Sequence, residues 1–212
     1  MTLRVGVLGS TGSVGSQTLD VIRNFPDEFD VVALSTHTNT ETLRNQIKEF
    51  QPEAIGVSDP GTATEQEWLE GAESLRKLAR MDLDLLVVAV TGMAGLLPTL
   101  DALEGDTSVA LASKEAMVVG GSLVKDVEGR SRGQVLPLDS EHHAVYQLLR
   151  GETPDAIRNV YLTASGGPFR NRAREDLEDI TPEEALDHPN WDMGAKITVD
   201  SATMMNKGLE LI

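Results

Sequence analysis

The chain has 212 residues, 40% hydrophobic and 4% aromatic, with 34 acidic against 18 basic side chains and a formal net charge of −16. Such a field repels nucleic acid and anionic membranes, so neither is an expected partner, and an anionic substrate would need local cations and backbone N–H groups to oppose it. The absence of cysteine excludes disulfides, thiolate metal sites and thiol nucleophiles.

The first 140 residues alternate β-rich runs with longer amphipathic stretches, the pattern of a parallel sheet with crossover helices. Strands are expected at Arg4–Leu8, Val31–Leu34, Ala54–Val57, Asp84–Val90, Ser108–Leu111 and Gln134–Leu138. Their near-continuous apolar character suits strands buried on both faces. Helices are expected at Val14–Asn24, Glu41–Phe50, Glu65–Arg80, Gly95–Leu103 and Gly121–Gly129. The fold class is therefore α/β, a doubly wound Rossmann-type parallel sheet over residues 1–138, followed over 139–212 by the start of an α+β domain. In that second part Asn159–Ala164 reads as a strand, Arg170–Ala185 as a polar helix, Asp187–Lys196 as a loop and Ser201–Leu211 as the start of a helix. The chain ends there without a cap or a Gly/Pro stop, so this domain is expected to be incomplete.

No segment approaches the ~18 consecutive apolar residues of a membrane span. The start, MTLRVGVLGS, shows no signal or transit character, and a cytoplasmic location is the simplest expectation. Two readings of the charge stand, an ordinary acidic solvated surface and adaptation to high salt.

Gly9-Ser10-Thr11-Gly12-Ser13-Val14-Gly15 follows the first strand and opens the first helix. There, glycines permit a tight turn and close backbone approach to a pyrophosphate resting on the helix N-terminus. The spacing is GxxGxxG rather than GxGxxG, and a ligand-free strand–helix turn is the competing reading. An acid after the second strand would bind the ribose 2′-hydroxyl of NAD; Ser35-Thr36-His37-Thr38-Asn39 has none. Hydroxyls, an amide and an imidazole tolerate a 2′-phosphate, which favours NADP, although no Arg or Lys is present to grip it.

Leu136-Pro137-Leu138-Asp139-Ser140-Glu141 places an acid–Ser–acid triplet after an apolar strand. In extended backbone Asp139 and Glu141 would point the same way, toward one cation. Hard carboxylates without cysteine suggest Mg²⁺ or Mn²⁺ over zinc. The same triplet would equally cap a helix starting at Glu141. Ser165-Gly166-Gly167 exposes N–H groups in a turn suited to an anion, or is a plain turn. Ser201 and Thr203 are expected at a helix N-terminus, with Asn206, Lys207 and Glu210 on one helical patch; Lys207 with Glu210 would also make an ordinary surface ion pair. Lys114, at a strand end, is a candidate to face cofactor and substrate, or an ordinary solvated lysine. The segment from His188 through Trp191 to Gly194 would suit a lid, or a packed loop.

Taken together, LGSTGSVG, GMAGLLPTL, LASKE, LPLDSEHHAVYQ, TASGGPFR and the run from His188 to Glu210 closely resemble the 1-deoxy-D-xylulose 5-phosphate reductoisomerase family, in the family's order. The resemblance implies an NADPH-binding domain at 1–138, a catalytic domain at 139–212, and a homodimer for the full-length protein. It implies metal ligands Asp139, Glu141 and Glu210, holding Mg²⁺ or Mn²⁺ with Co²⁺ as a third option. Ser140, Glu141, Ser165, His188, Trp191, Ser201, Asn206, Lys207 and Glu210 would bind a phosphorylated sugar substrate. Lys114, Glu141 and His188 would be catalytic. Gly9, Ser10, Thr11, Gly12, Ser13, Val14, Asn39, Ser113, Lys114 and Glu115 would contact NADPH. The implied reaction is a skeletal rearrangement of 1-deoxy-D-xylulose 5-phosphate to a branched aldehyde, then hydride reduction to 2-C-methyl-D-erythritol 4-phosphate. The chain departs from the family's pattern at His37 and Thr38, where Gly and a basic residue are usual, and at Ser113, where Asn is common. Family members also continue well beyond this length, so little turnover is expected of these 212 residues alone. Two alternatives are another Rossmann reductase of the aspartate-semialdehyde or dihydrodipicolinate type, and a non-catalytic nucleotide-sensing module. The aspartate-semialdehyde type needs a cysteine, and the module leaves the carboxylates unexplained.

Overall fold

Short runs of Val, Leu and Ile, apolar on both faces, form seven strands: β1 (Leu3–Leu8), β2 (Phe29–Thr36), β3 (Ala54–Val57), β4 (Leu69–Glu70), β5 (Leu85–Val88), β6 (Ser108–Leu111) and β7 (Val135–Pro137). In the computed structural model, which describes residues 2–191 and 193–212, they pair in parallel in the order β4-β3-β2-β1-β5-β6-β7. The chain lays strands outward on one side of β1, then crosses back and continues on the other, so the order reverses between β1 and β5.

Alternate residues along each strand feed two cores. On one face Val5, Val7, Leu34, Val57 and Val87 pack with Leu19 and Ile22 of α1 (Ser13–Asn24) and Leu43 of α2 (Thr40–Phe50). On the other, Leu8, Val32, Leu86, Val88, Val109 and Leu111 pack with Leu75 and Leu78 of α3 (Ala72–Ala79), Leu103 of α4 (Leu96–Glu104) and Val124 of α5 (Lys114–Glu128). This covers both sheet faces, as a parallel sheet requires. The expected α/β doubly wound architecture is the observed one. Among the described residues, no helix is long and apolar enough to cross a membrane.

Two helices differ from expectation in this first unit, which spans Met1–His143. The helix expected over Glu65–Arg80 starts only at Ala72, because Leu69–Glu70 adds to the sheet edge and Gly71, at φ +77°, turns the chain into α3. The helix expected over Gly121–Gly129 begins seven residues earlier, at Lys114. The Gly120-Gly121 pair reads as a break but is a kink inside α5: a Cβ at Gly120 would lie 2.5 Å from Leu96 Cδ1, so glycine lets α5 approach α4.

After β7, α6 (Ser140–Leu149) opens at once. The second unit, Ala144–Ile212, further contains α7 (Pro182–Ala185), α8 (Ala195–Ala202), α9 (Met205–Leu211) and 3-10 turns at Pro154–Ala156 and Arg174–Leu177. Three expectations are corrected here. Asn159–Ala164 is not a strand; no strand pairs with it among the described residues, and Val160 and Tyr161 are exposed. Arg170–Ala185 is not one helix, because Thr181 and Pro182 start a new one through a capping box with Glu184. The helix expected from Ser201 is two: Met204, in the left-handed region at φ +61°, separates α8 from α9. Asp192, inside the expected loop and lid, lies outside the described residues.

Candidate functional site

The glycine loop leaves β1 at the point where the strand order reverses, the crevice in which open α/β sheets bind ligands. Gly9 adopts φ +78°, and a Cβ there would sit 2.6 Å from Ala89 O; a Cβ at Gly15 would sit 2.3 Å from Gly9 O. The first contact holds the loop against the chain leaving β5, the second holds α1 against the loop. Ser10 is fully buried: its hydroxyl donates to Gln46 Oε1 (2.7 Å) while Gln46 Nε2 donates to Ser10 O (2.9 Å). Gly9 N donates to Ser35 Oγ, and Thr11 Oγ1 lies 2.6 Å from Thr36 Oγ1. The loop is thus pinned to β2 and α2 from beneath, while Gly12, Ser13 and Val14 are exposed. Gly12, the N-cap, supplies no side-chain acceptor, and the first-turn N–H groups of a helix lack intrahelical acceptors. Rigid support below and open N–H donors above fit an anionic pyrophosphate.

Beyond β2, Asn39 holds the start of a helix: its Oδ1 accepts from Thr42 N at 3.1 Å and caps α2. His37 Nδ1 lies 3.0 Å from Ser58 Oγ, at the end of β3. Sequence reasoning missed both Gln46 and Ser58. Gln46 carries a signal in retrospect, a polar residue on the buried side of an amphipathic helix; Ser58 carries none.

Lys114 and Asp139 meet across the adjacent ends of β6 and β7 as an ion pair. The second Asp139 oxygen, Oδ1, accepts from His142 N at 3.1 Å, the N-cap bond of α6. Burial pushes the Asp139 carboxyl up, but the Lys114 ammonium and the His142 N–H outweigh it and hold it below its ordinary value. The cap reading of this triplet is therefore realised. The extended arrangement is not, since Ser140 and Glu141 already belong to α6. Ser140 Oγ donates to Glu141 Oε2 at 2.6 Å. Ser113 is the buried N-cap of α5, and its hydroxyl has no partner among the described residues. Glu115 stands in the first turn of that helix.

In the second unit, Ser165 Oγ lies 3.1 Å from both His188 Nε2 and Ser201 Oγ. Gly166 (φ +82°) and Gly167 (φ +65°) make this possible: a Cβ at Gly167 would lie 2.6 Å from Ser201 O, so only glycine lets the turn approach α8 this closely. Ser201 is in the last turn of α8, not at a helix N-terminus, which corrects the expectation for it. Asn206 and Lys207 do share a patch with Glu210 on α9, donating to its Oε1 at 2.9 and 3.0 Å. Asn206 Oδ1 is buried and accepts no hydrogen bond among the described residues. Trp191 is exposed.

A doubly wound parallel sheet with a glycine loop at its switch point defines a Rossmann-type α/β protein. The family model for 1-deoxy-D-xylulose 5-phosphate reductoisomerase matches residues 5–121, and that for its C-terminal domain matches residues 135–212. The chain belongs to the 1-deoxy-D-xylulose 5-phosphate reductoisomerase family. It is 50% identical to the reductoisomerase of Shouchella clausii over 99% of its own length and 58% of that protein. It is 48% identical to that of Thermoanaerobacter sp. over 99% and 57%. Among solved structures, it resembles the Zymomonas mobilis enzyme in complex with NADPH (TM-score 0.88, 38% identity, all of this chain and 57% of that one). It also resembles a reductoisomerase in complex with NADPH, fosmidomycin and magnesium (TM-score 0.89, 35% identity, 99% and 56%). The chain spans a little over half the length of these relatives.

Proposed function

We propose that this chain supplies the cofactor domain and much of the substrate site of an NADPH-dependent reductoisomerase that converts 1-deoxy-D-xylulose 5-phosphate to 2-C-methyl-D-erythritol 4-phosphate. The observation that carries this reading is the family match, which includes both the glycine loop and the Ser165–Ser201 cluster. The exposed N-terminus of α1, with Gly9, Thr11, Gly12, Ser13 and Val14, receives the cofactor pyrophosphate; Ser10 serves through its backbone, its side chain being buried. His37 and Thr38, with Asn39, stand where the adenosine ribose is read, and Ser113, Lys114 and Glu115 line the cofactor's path from β6. NADPH supplies the hydride that reduces the rearranged aldehyde.

Asp139, Glu141 and Glu210 would hold the divalent cation. Three carboxylates and no sulfur form a hard donor set suited to Mg²⁺ or Mn²⁺, with Co²⁺ acceptable. When bound, the cation supplies Lewis-acid polarisation of the substrate's ketone and adjacent hydroxyl oxygens. Ser165, Ser201, Asn206 and Lys207 take the substrate's phosphate and hydroxyls, and the buried Asn206 Oδ1 is a ready acceptor for a hydroxyl. Ser140, Glu141 and Trp191 complete the substrate contacts, and His188 acts on them through Ser165. Binding the phosphate away from the reacting carbons fixes orientation. Lys114 and Glu141 are the candidate proton-handling groups at the reacting end. The protein acts in the cytoplasm, as a homodimer at full length.

The test is NADPH consumption, followed by absorbance, with 1-deoxy-D-xylulose 5-phosphate and Mg²⁺ or Mn²⁺. The chain extended to the length of its relatives is expected to consume NADPH only when substrate and metal are both present, and Glu210→Gln to abolish the metal-dependent rate. An extended protein that oxidises no NADPH on substrate addition would refute the proposal.

A further inference from the structure

A neutral imidazole has one N–H donor and one acceptor nitrogen, and its neighbours decide which is which. At His188 the neighbours decide clearly. Nδ1 receives the backbone N–H of Asn190 (3.2 Å) and of Trp191 (3.1 Å), so it acts as the acceptor. The proton then resides on Nε2, which donates to Ser165 Oγ at 3.1 Å. Ser165 Oγ also accepts the Gly167 N–H, at 3.4 Å. A hydroxyl has two lone pairs and one hydrogen. With both lone pairs of Ser165 engaged, its hydrogen goes to Ser201 Oγ, 3.1 Å away. The hydrogen of Ser201 itself has no acceptor among the described residues.

We infer that His188 is a positioning residue: locked as its Nε2–H tautomer by the Asn190 and Trp191 backbone, it drives a one-way chain of hydrogen bonds through Ser165 that leaves Ser201 to donate its proton to a ligand phosphate. The inference rests on reading this cluster as a phosphate subsite and gives that subsite a direction. Phosphate oxygens only accept hydrogen bonds when ionised, so an array that ends in a donor matches them. The chain also ties the exposed Trp191 segment to the subsite through backbone bonds, so a change of that segment's backbone is felt as a change of hydroxyl orientation.

The two amide substitutions separate the two nitrogens. In His188→Gln the amide nitrogen takes the place of Nε2 and keeps the donation to Ser165. In His188→Asn the amide oxygen takes the place of Nδ1, keeps acceptance from the backbone and loses the donation. The 212-residue chain, labelled with ¹⁵N-histidine, is followed by long-range ¹H–¹⁵N NMR and titrated with inorganic phosphate. Expected are an Nε2–H tautomer for His188, phosphate affinity in His188→Gln within about threefold of the parent, and a loss of about tenfold in His188→Asn, the size of one hydrogen bond to a charged group. An Nδ1–H tautomer, or equal losses in the two variants, overturns the inference while leaving the phosphate reading intact. An Nε2–H tautomer in a chain that binds no phosphate sinks the phosphate reading, and the role given to Ser201 with it. The tautomer is read on the unsubstituted chain, so the test survives a variant that fails to fold.

Discussion

Lys114 forms an ion pair with Asp139 across the ends of two adjacent parallel strands, with only 7% and 11% of their side chains exposed. Neutralising Asp139 removes a charge partner of the Lys114 ammonium where little water can take its place. Asp139→Asn keeps a good helix cap, so it isolates the charge. It is expected to lower stability by about 2–4 kcal/mol in urea denaturation. A loss below about half a kcal/mol would show that solvent already screens the pair.

Asp101 on α4 accepts from Arg76 (2.6 Å) and Arg80 (2.7 Å). Burial pushes its carboxyl up, but the two guanidinium groups outweigh burial and hold it below the ordinary value. A depressed folded-state value contributes stability above the unfolded value of about 3.9, and that contribution is lost as pH falls through the lower folded value. Urea melts across a pH series are expected to show stability declining below about pH 4, with a shallower decline in Asp101→Asn. At neutral pH that variant is expected to be less stable by about 1–3 kcal/mol.

The three loop glycines make different demands. Gly9→Ala and Gly15→Ala each drive a methyl into backbone, and each is expected to cost about 2–4 kcal/mol. Gly12→Ala meets nothing nearer than Gly9 O at 3.4 Å, with φ −80°. Its stability is expected to fall by about 1 kcal/mol or less, while NADPH affinity, read by nucleotide fluorescence, drops about tenfold as the methyl enters the pyrophosphate's path. Equal NADPH binding by Gly12→Ala and the parent would count against the cradle.

Asn39→Ala removes the α2 cap and is expected to cost about 1 kcal/mol in thermal or urea unfolding; Asn39→Asp, which preserves the acceptor, is expected to restore it.

The sheet was legible because strands buried on both faces write continuous apolar runs such as Val31–Leu34 and Leu85–Val88. What escaped was set by tertiary contact. Leu69–Glu70 is a strand only because β3 lies beside it. Gly120 looks like a helix end, yet it is there to admit Leu96. Met204 ends α8 in a left-handed conformation that is uncommon for a non-glycine residue, so the residues around Ser201 carry no sign of a break. At the candidate site the residue types were readable one by one. That Asp139 caps α6, that Ser10 is buried and that His188 accepts from its own loop depend on directions in space, which spacing along the chain does not encode.

The outermost strand of the sheet carries a further consequence. β7 is three residues long, joins the ladder from one side only among the described residues, and ends in Pro137, which has no N–H to offer a further strand. Proline guards that edge against adventitious pairing. It also leaves Asp139 two residues beyond a short edge strand, and such edges open locally at a fraction of the global unfolding free energy. The apparent affinity of any ligand that needs Asp139 in place is scaled by the fraction of molecules with this edge closed. Hydrogen exchange at Leu138, whose N–H bonds to Leu111 O, is expected to slow on binding of such a ligand by a factor of about 1 + [L]/Kd, making this one amide a gauge of occupancy.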